Sequence, residues 1–226
     1  MLVREIVLDT ETTGLDPEQG DRLVEVAGVE LINHVPTGGT FHSYINPERD
    51  MPEEAFRVHG LSAEFLSGYP VFAEVAGPLL EFLGDSRLVI HNAQFDLRFL
   101  NAELRRLRLE PLPATRAVDT LALAQRRFPG SPNNLDALCR RFGVDASART
   151  LHGALLDCQL LAEVYLHLLG GRQADLGLAT AVRRTAVSRT VTRVARAPRP
   201  HAPSDAELAA HAALVAKLGE DAVWNR

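Results

Sequence analysis

The chain has 226 residues, 46% of them hydrophobic, and a formal net charge of -5, the profile of a soluble globular protein with room for one sizeable domain and an appendage, or for two small domains. The acidic balance excludes a surface that grips nucleic acid by charge alone, since such binders are usually basic. Only two cysteines occur, Cys139 and Cys158, without metal-ligand spacing, which fits a reducing, cytoplasmic setting. MLVREIVLDT is too short and too quickly charged for a signal peptide, and no apolar run reaches membrane-spanning length, so neither export nor a membrane partner is expected.

Residues 2 to 9 read as a buried strand, broken by Gly14 and Asp16-Pro17. A second strand is expected over 22 to 33, and the Gly38-Gly39 pair is expected to turn the chain into a third, TFHSYI. A helical region follows, with Pro52 as a start signal and VFAEVAGPLLEFL as a helix interrupted by Pro78. RLVIH is a fourth strand, and the chain turns at Asn92 into the helix AQFDLRFLNAELRRL. A short extended piece surrounds Val118, Asp119 is placed to cap TLALAQRRF, and Asn133 or Asn134 to cap LDALCRRFG, which Gly143 ends. The last strong helix covers roughly 154 to 169. From Gly170 the character changes. Seven arginines and one acid, Asp175, lie between Arg172 and Pro203 with little periodicity, the composition of a flexible basic linker. A short amphipathic stretch, DAELAAHAALVAKL, and Trp224 close the chain. The expected division is a domain over 1–170, a linker over 171–203 and a terminal segment over 204–226.

Chemistry concentrates in five side chains: Asp9 and Glu11 in IVLDTETTG, Asp96 in HNAQFDLRFL, and His152 and Asp157 in LHGALLDCQLLAEVY. Alternate residues of a strand point the same way, so Asp9 and Glu11 share a face. Two like charges buried side by side call for a cation between them. Hard oxygen donors favour two divalent ions, Mg2+ or Mn2+. Five residues on a regular helix rotate by about 140°, so His152 and Asp157 cannot both face one site from it. Gly153 marks a helix that starts after His152, which leaves the histidine on a loop and Asp157 on the helix. An imidazole titrating near neutrality suits a general base. The reaction that this set supports is phosphodiester hydrolysis, with one metal activating water and the other steadying the leaving 3′ oxygen. Taken singly, Asp9 is a turn residue, Asp96 a dipole partner, His152 a loop or capping histidine and Asp157 a solvated helix residue. Together and in order they are not explained that way.

The three motifs resemble those of the DEDD 3′-5′ exonucleases, in the branch that carries a histidine five residues before the last aspartate. Beyond the motifs, FHSYINPER, EAFRVHGLSAEFL, FAEVA, FPGSPNNLDALCRRFGVD and RTLHGALLDCQLLAEVYLHLLGG resemble the proofreading (epsilon) subunits of bacterial DNA polymerase III, over nearly all of residues 2 to 171. The resemblance implies an α/β, ribonuclease H-like fold, a mixed five-stranded sheet flanked by helices, with a flexible C-terminal tail. It implies that Asp9, Glu11, Asp96 and Asp157 hold two metals, that His152 is the base, and that Glu11, Thr12, Thr13, Leu15, Val58, His59, Asn92 and Asp157 contact the terminal nucleotides. His59 and Asn92 equally suit turns that satisfy local backbone.

In the tail, Gln173, Leu176 and Leu178 resemble a clamp-binding hexapeptide, against the plain reading of a linker with two chance leucines. The terminal stretch, with Leu208, Leu214, Leu218 and Trp224, would dock on the polymerase alpha subunit, since a short lone helix gains stability by burying its apolar face on a partner. The expected protein is a metal-dependent exonuclease that removes mispaired 3′ nucleotides from single-stranded or frayed DNA ends and releases nucleoside 5′-monophosphates. Two rivals stand beside it. A stand-alone trimmer of RNA 3′ ends would need no docking tail, and a non-catalytic subunit would need none of the five polar residues.

Overall fold

The computed structural model describes residues 2–149, 151–170 and 202–218. The chain divides into two units, Met1–Ala179 and Thr180–Arg226. The first holds five strands, β1 (Arg4–Thr12), β2 (Leu23–Ile32), β3 (Val35–Tyr44), β4 (Arg87–Ile90) and β5 (Ala117–Asp119), in the order β3-β2-β1-β4-β5. β1, β2 and β3 are antiparallel neighbours, whereas β4 runs parallel to β1 and β5 parallel to β4. This is the mixed five-stranded sheet that the family resemblance implies.

β1 lies at the centre because its residues are apolar on both faces: Ile6, Val7 and Leu8 are fully buried. On one side Ile6, Leu8, Leu88 and Ile90 meet the apolar faces of α3 (Phe72–Leu83) and α4 (Ala93–Arg106). On the other, Val7, Ala27, Val29 and Val89 meet α5 (Thr120–Arg127), α6 (Leu135–Phe142) and α7 (Ala154–Leu168). Two short helices precede α3: α1 (Glu53–His59), which follows Pro52 and ends at Gly60, and α2 (Ala63–Leu66), capped by Ser62.

Two local expectations need correction. The β2–β3 turn is Asn33-His34, both at positive φ (50° and 67°), with Ile32 paired to Val35. Two left-handed residues suit the twist of a tight hairpin. Gly38 and Gly39 instead lie inside β3, beside a register shift between Val29 and Leu31 where Thr37 Oγ1 donates to Glu30 Oε2 at 2.6 Å; the glycines mark a bulge. Pro78 does not interrupt α3, which runs unbroken from Phe72 to Leu83. Burial of Phe72, Val75, Ala76, Leu79 and Leu83 outweighs the one backbone hydrogen bond that proline removes. At α6 the cap is Asn134, whose Oδ1 accepts from Ala137 N at 2.9 Å, while Asn133 Nδ2 donates to the carbonyls of Phe128 and Ser131. Asp119 caps α5 as expected, and Gly143 ends α6 at φ 70°.

In the second unit, α8 (Asp205–Leu218) begins with a capping box in which Ser204 Oγ and N donate to Glu207 Oε2 at 2.8 Å. Its amphipathic character is weaker than expected. Glu207 stands seven residues before Leu214 and His211 seven before Leu218, two helical turns apart and therefore on one stripe. Among the described residues no helix is long and apolar enough to cross a membrane.

Gly28 in β2 lets α3 approach the sheet, because a Cβ there would stand 2.8 Å from Phe82 Cε1 and 3.1 Å from Ile6 Cγ2. Gly28→Val should destabilise the domain by ~1–3 kcal/mol through overpacking, read as a lower urea midpoint. An unchanged midpoint would show that Phe82 gives way freely.

Candidate active site

The site forms where β1 outruns its neighbour. β1 pairs with β4 only through Glu5, Ile6 and Val7, yet stays paired with β2 as far as Thr12, with a register shift between Glu11 and Thr12. Asp9 and Glu11 follow Val7 on the same strand face, past the last β4 pair. Ligand sites of open α/β sheets gather at such strand ends. Asp96 arrives from the opposite layer, in the first turn of α4 after Asn92 bends the chain at φ 68°. It is 3% exposed and accepts from Thr10 Oγ1 at 2.7 Å. Asp157 lies in the first turn of α7, whose N-cap is Gly153. His152 therefore precedes the helix, as its spacing from Asp157 requires, and its backbone N–H donates to Val58 O at 3.1 Å.

A cleft of about 630 Å³ brings together Asp9, Glu11, Thr12, Thr13, Leu15, Val58, His59, Asp96, His152 and Asp157. Leu15 and Val58 expose apolar side chains at 77% and 46%, whereas Thr12, Thr13 and His59 are buried. His59 Nδ1 accepts from Leu61 N at 3.0 Å, which puts the ring proton on Nε2, a buried atom without a hydrogen-bond partner among the described residues. Asn92 is exposed and is not among the cleft residues; its N–H donates to Asp119 Oδ1 at 3.2 Å, so it serves the turn. Leu208, Leu214 and Leu218 lie exposed on α8. Gln173, Leu176, Leu178 and Trp224 lie outside the described residues.

The electrostatics follow from the crowding. Burial, then repulsion from Asp96, Glu11 and Asp157, pushes the Asp9 carboxyl far above the usual range. Burial and the charges of Asp157, Glu25 and Asp96 raise Glu11 to about 8, with Arg149 acting in the opposite sense. Burial raises Asp96 to about 7 against the Thr10 hydrogen bond. Asp157 goes the other way: burial opposes its charge, but the two hydrogen bonds from Arg149, with the His152 ring beside them, outweigh it and hold the carboxyl low. Glu11, His152 and Asp157 each offer a ligand atom within 4.8 Å of the others. Carboxylate oxygens held together against their own repulsion fit a hard divalent cation.

Two residues of this site were not singled out in the sequence. Arg149 donates Nε to Asp157 Oδ1 at 2.6 Å and Nη2 to Asp157 Oδ2 at 2.7 Å, with Nη2 also 2.8 Å from His152 Nδ1 and Nη1 2.5 Å from Asp136 Oδ1. The signal was its place three residues before His152 in RTLH. Glu25 faces Glu11 across β1 and β2, is 3% exposed, and pairs with His42 Nε2 at 2.7 Å. An acid inside the apolar run LVEVAGVELI was the available sign.

The RNase T exonuclease family matches residues 6–165. DNA polymerase III subunit epsilon of Rickettsia felis is 58% identical over 175 residues, 76% of each chain. The subunit of that name from Escherichia coli K12 is 42% identical over 239 residues, spanning 99% of this chain and 98% of its own. Among solved structures, Exonuclease X in complex with 5′ overhanging duplex DNA aligns at TM-score 0.56 and 25% identity, covering 73% of this chain and 90% of that one. The nuclease domain of 3′hExo, described as a DEDDh family member bound to rAMP, aligns at TM-score 0.63 and 21% identity, over 74% of this chain and 92% of that one, a likeness of fold. The ribonuclease H-like sheet, the cleft at the end of β1 and these matches together place the chain in the exonuclease family and, within it, among the DNA polymerase III epsilon subunits.

Proposed function

We propose that this 3′-5′ exonuclease removes mispaired nucleotides from single-stranded or frayed 3′ DNA ends as the proofreading subunit of a replicative polymerase, releasing nucleoside 5′-monophosphates. The observation that carries the reading is the convergence of Asp9, Glu11, Asp96, His152 and Asp157, from three distant segments, on one cleft. The family is metal-dependent, and we assign Asp9, Glu11, Asp96 and Asp157 as ligands for two divalent cations, Mg2+ or Mn2+. Bound there, such cations would supply charge neutralisation and activation of water for in-line displacement at phosphorus.

The chain's own groups do the rest. Thr12, Thr13 and His59 form the buried wall against which a terminal nucleotide lies, and Leu15 and Val58 offer apolar surface to its base. A cleft of about 630 Å³ is on the scale of small-ligand sites, so an unpaired end enters where a stacked duplex does not. His152 is the proton acceptor. Arginine only donates hydrogen bonds, so the Arg149 contact at 2.8 Å occupies the Nδ1 lone pair and leaves the ring proton on Nε2. Turning from Arg149 frees that lone pair, and the side chain, 48% exposed, has room to turn.

The terminal segment is proposed to hold the polymerase alpha subunit, and Gln173, Leu176 and Leu178 the sliding clamp. In support, the resemblance to the Escherichia coli subunit runs through 99% of the chain and so includes this tail. A stand-alone trimmer of RNA ends has no use for that region, and a non-catalytic subunit has none for five converging polar residues.

Asp9→Ala or Asp157→Ala should cut hydrolysis of single-stranded DNA in Mg2+ or Mn2+ to below about one-hundredth, and retained turnover in a clean preparation would sink the ligand assignment. His152→Ala should keep Mn2+ binding while slowing turnover by ~10²–10⁴-fold; normal turnover removes the histidine from that role. Asp9, Glu11 and Asp96 have folded pKa values above their unfolded ones, so the folded state binds more protons and stability is lost as pH rises through their folded pKa values. In EDTA the melting temperature should therefore fall from mildly acidic pH to pH about 8, near the value for Glu11, and Mn2+ should restore it most at the alkaline end. A flat profile would show that the carboxylates are not mutually strained. A chain lacking residues 171–226 should remain an active exonuclease yet fail to co-elute with the polymerase subunit, and undiminished co-elution ends the tethering idea.

A further inference from the structure

Arg149 is a charged side chain left only 8% exposed, in contact with the carboxylate cluster at Asp157. Its planar fork spans both oxygens of Asp157, its third nitrogen reaches Asp136 at the start of α6, and it touches His152 as well. Among the described residues it is the sole arginine or lysine ion-paired with any of Asp9, Glu11, Asp96 or Asp157. We infer that Arg149 is an internal counter-cation of the site: it positions Asp157 and His152 and, by sharing Asp157 with the divalent cations, holds cation affinity down. The inference rests on the metal assignment proposed above.

The lone pairs permit the sharing. An ionised carboxylate offers about four acceptor positions, and a bidentate guanidinium takes one on each oxygen, so Asp157 keeps positions for a cation. The guanidinium stays charged at every working pH, so its repulsion of an incoming cation cannot be switched off by titration. The repulsion has a use. Two divalent ions would offset the four carboxylates, and the guanidinium, its charge shared between Asp157 and Asp136, would add positive potential where the negative phosphodiester is received. Asp136, 51% exposed on its side chain, holds the third nitrogen. Arg149 thereby balances weaker cation binding against better reception of substrate.

This role is separable from mere propping of Asp157. If Arg149 only held Asp157 in place, losing it would loosen a ligand and weaken cation binding. As a counter-cation, losing it must tighten cation binding while disordering His152. The experiment follows Mn2+ binding to the full chain by the loss of the free-ion EPR signal, alongside turnover of single-stranded DNA. Arg149→Gln should bind Mn2+ more tightly by roughly tenfold, the scale of one neighbouring charge in a partly buried site, while kcat falls and KM for DNA rises. Arg149→Lys keeps the charge without the fork and should bind Mn2+ within about threefold of the unmodified chain. Weaker or unchanged Mn2+ binding in Arg149→Gln overturns the proposal, as does equal behaviour of the Gln and Lys variants. Should Arg149→Gln not fold, Arg149→Met, which keeps an apolar stem without charge, is read by the same criterion. No saturable Mn2+ binding to the unmodified chain would instead overturn the metal assignment, and this inference with it.

Discussion

Mutual repulsion among buried carboxylates is the constraint around which this domain is built. Asp9, Glu11, Asp96 and Asp157, with Glu25 behind them, are brought within range of one another's charge. Such a cluster disperses unless the scaffold holding it is more cohesive than the charges are repulsive. The scaffold is the middle of the sheet: Ile6, Val7 and Leu8 are fully buried immediately before Asp9, and each face is covered by a continuous apolar layer. α4 and α7 are pinned to opposite faces of β1, so Asp96 and Asp157 are presented from two sides by elements that cannot drift apart.

Within that frame, neighbours divide the carboxylates into two kinds. Asp157 is kept anionic by a two-point grip from Arg149 and contact with His152, whereas Asp9 and Glu11 meet mainly other acids and a dry environment. Asp96 is intermediate, steadied by the Thr10 hydroxyl from the alternate position on β1. The strand alternation that sends Asp9 and Glu11 to one side thus also sends a hydroxyl to the helix carrying Asp96.

Much of this was legible in the chain because it is local. An apolar run ending in Asp-x-Glu specifies a central strand with two acids on one face. A glycine between His152 and a periodic apolar stretch specifies a loop histidine ahead of a helix. The misses are places where tertiary context outweighs local preference. Gly38-Gly39 looks like a turn, but the strand accepts both as a bulge and the chain reverses at Asn33-His34. Pro78 looks like a break, but five buried side chains keep α3 whole. Arg149 and Glu25 carry no periodic signature, since their partners are set by the meeting of α6, α7 and two strands. α8 shows the reverse case: local chemistry prevails, with a capping box plain in Ser-Asp-Ala-Glu and Glu207 interrupting the apolar stripe.

The bond from His152 N–H to Val58 O joins the loop bearing His152 to the helix that forms one wall of the cleft. Leu151 reinforces the joint by lying over Gly60, where a Cβ would come within 2.7 Å of Leu151 Cδ1. Cleft wall and histidine loop are therefore held in one register. The position of the imidazole relative to α1 is thus set through one backbone hydrogen bond, beside the surface that Val58 and His59 give the cleft. The placement is economical: the helix that lines the cleft is also the one that fixes the loop of His152.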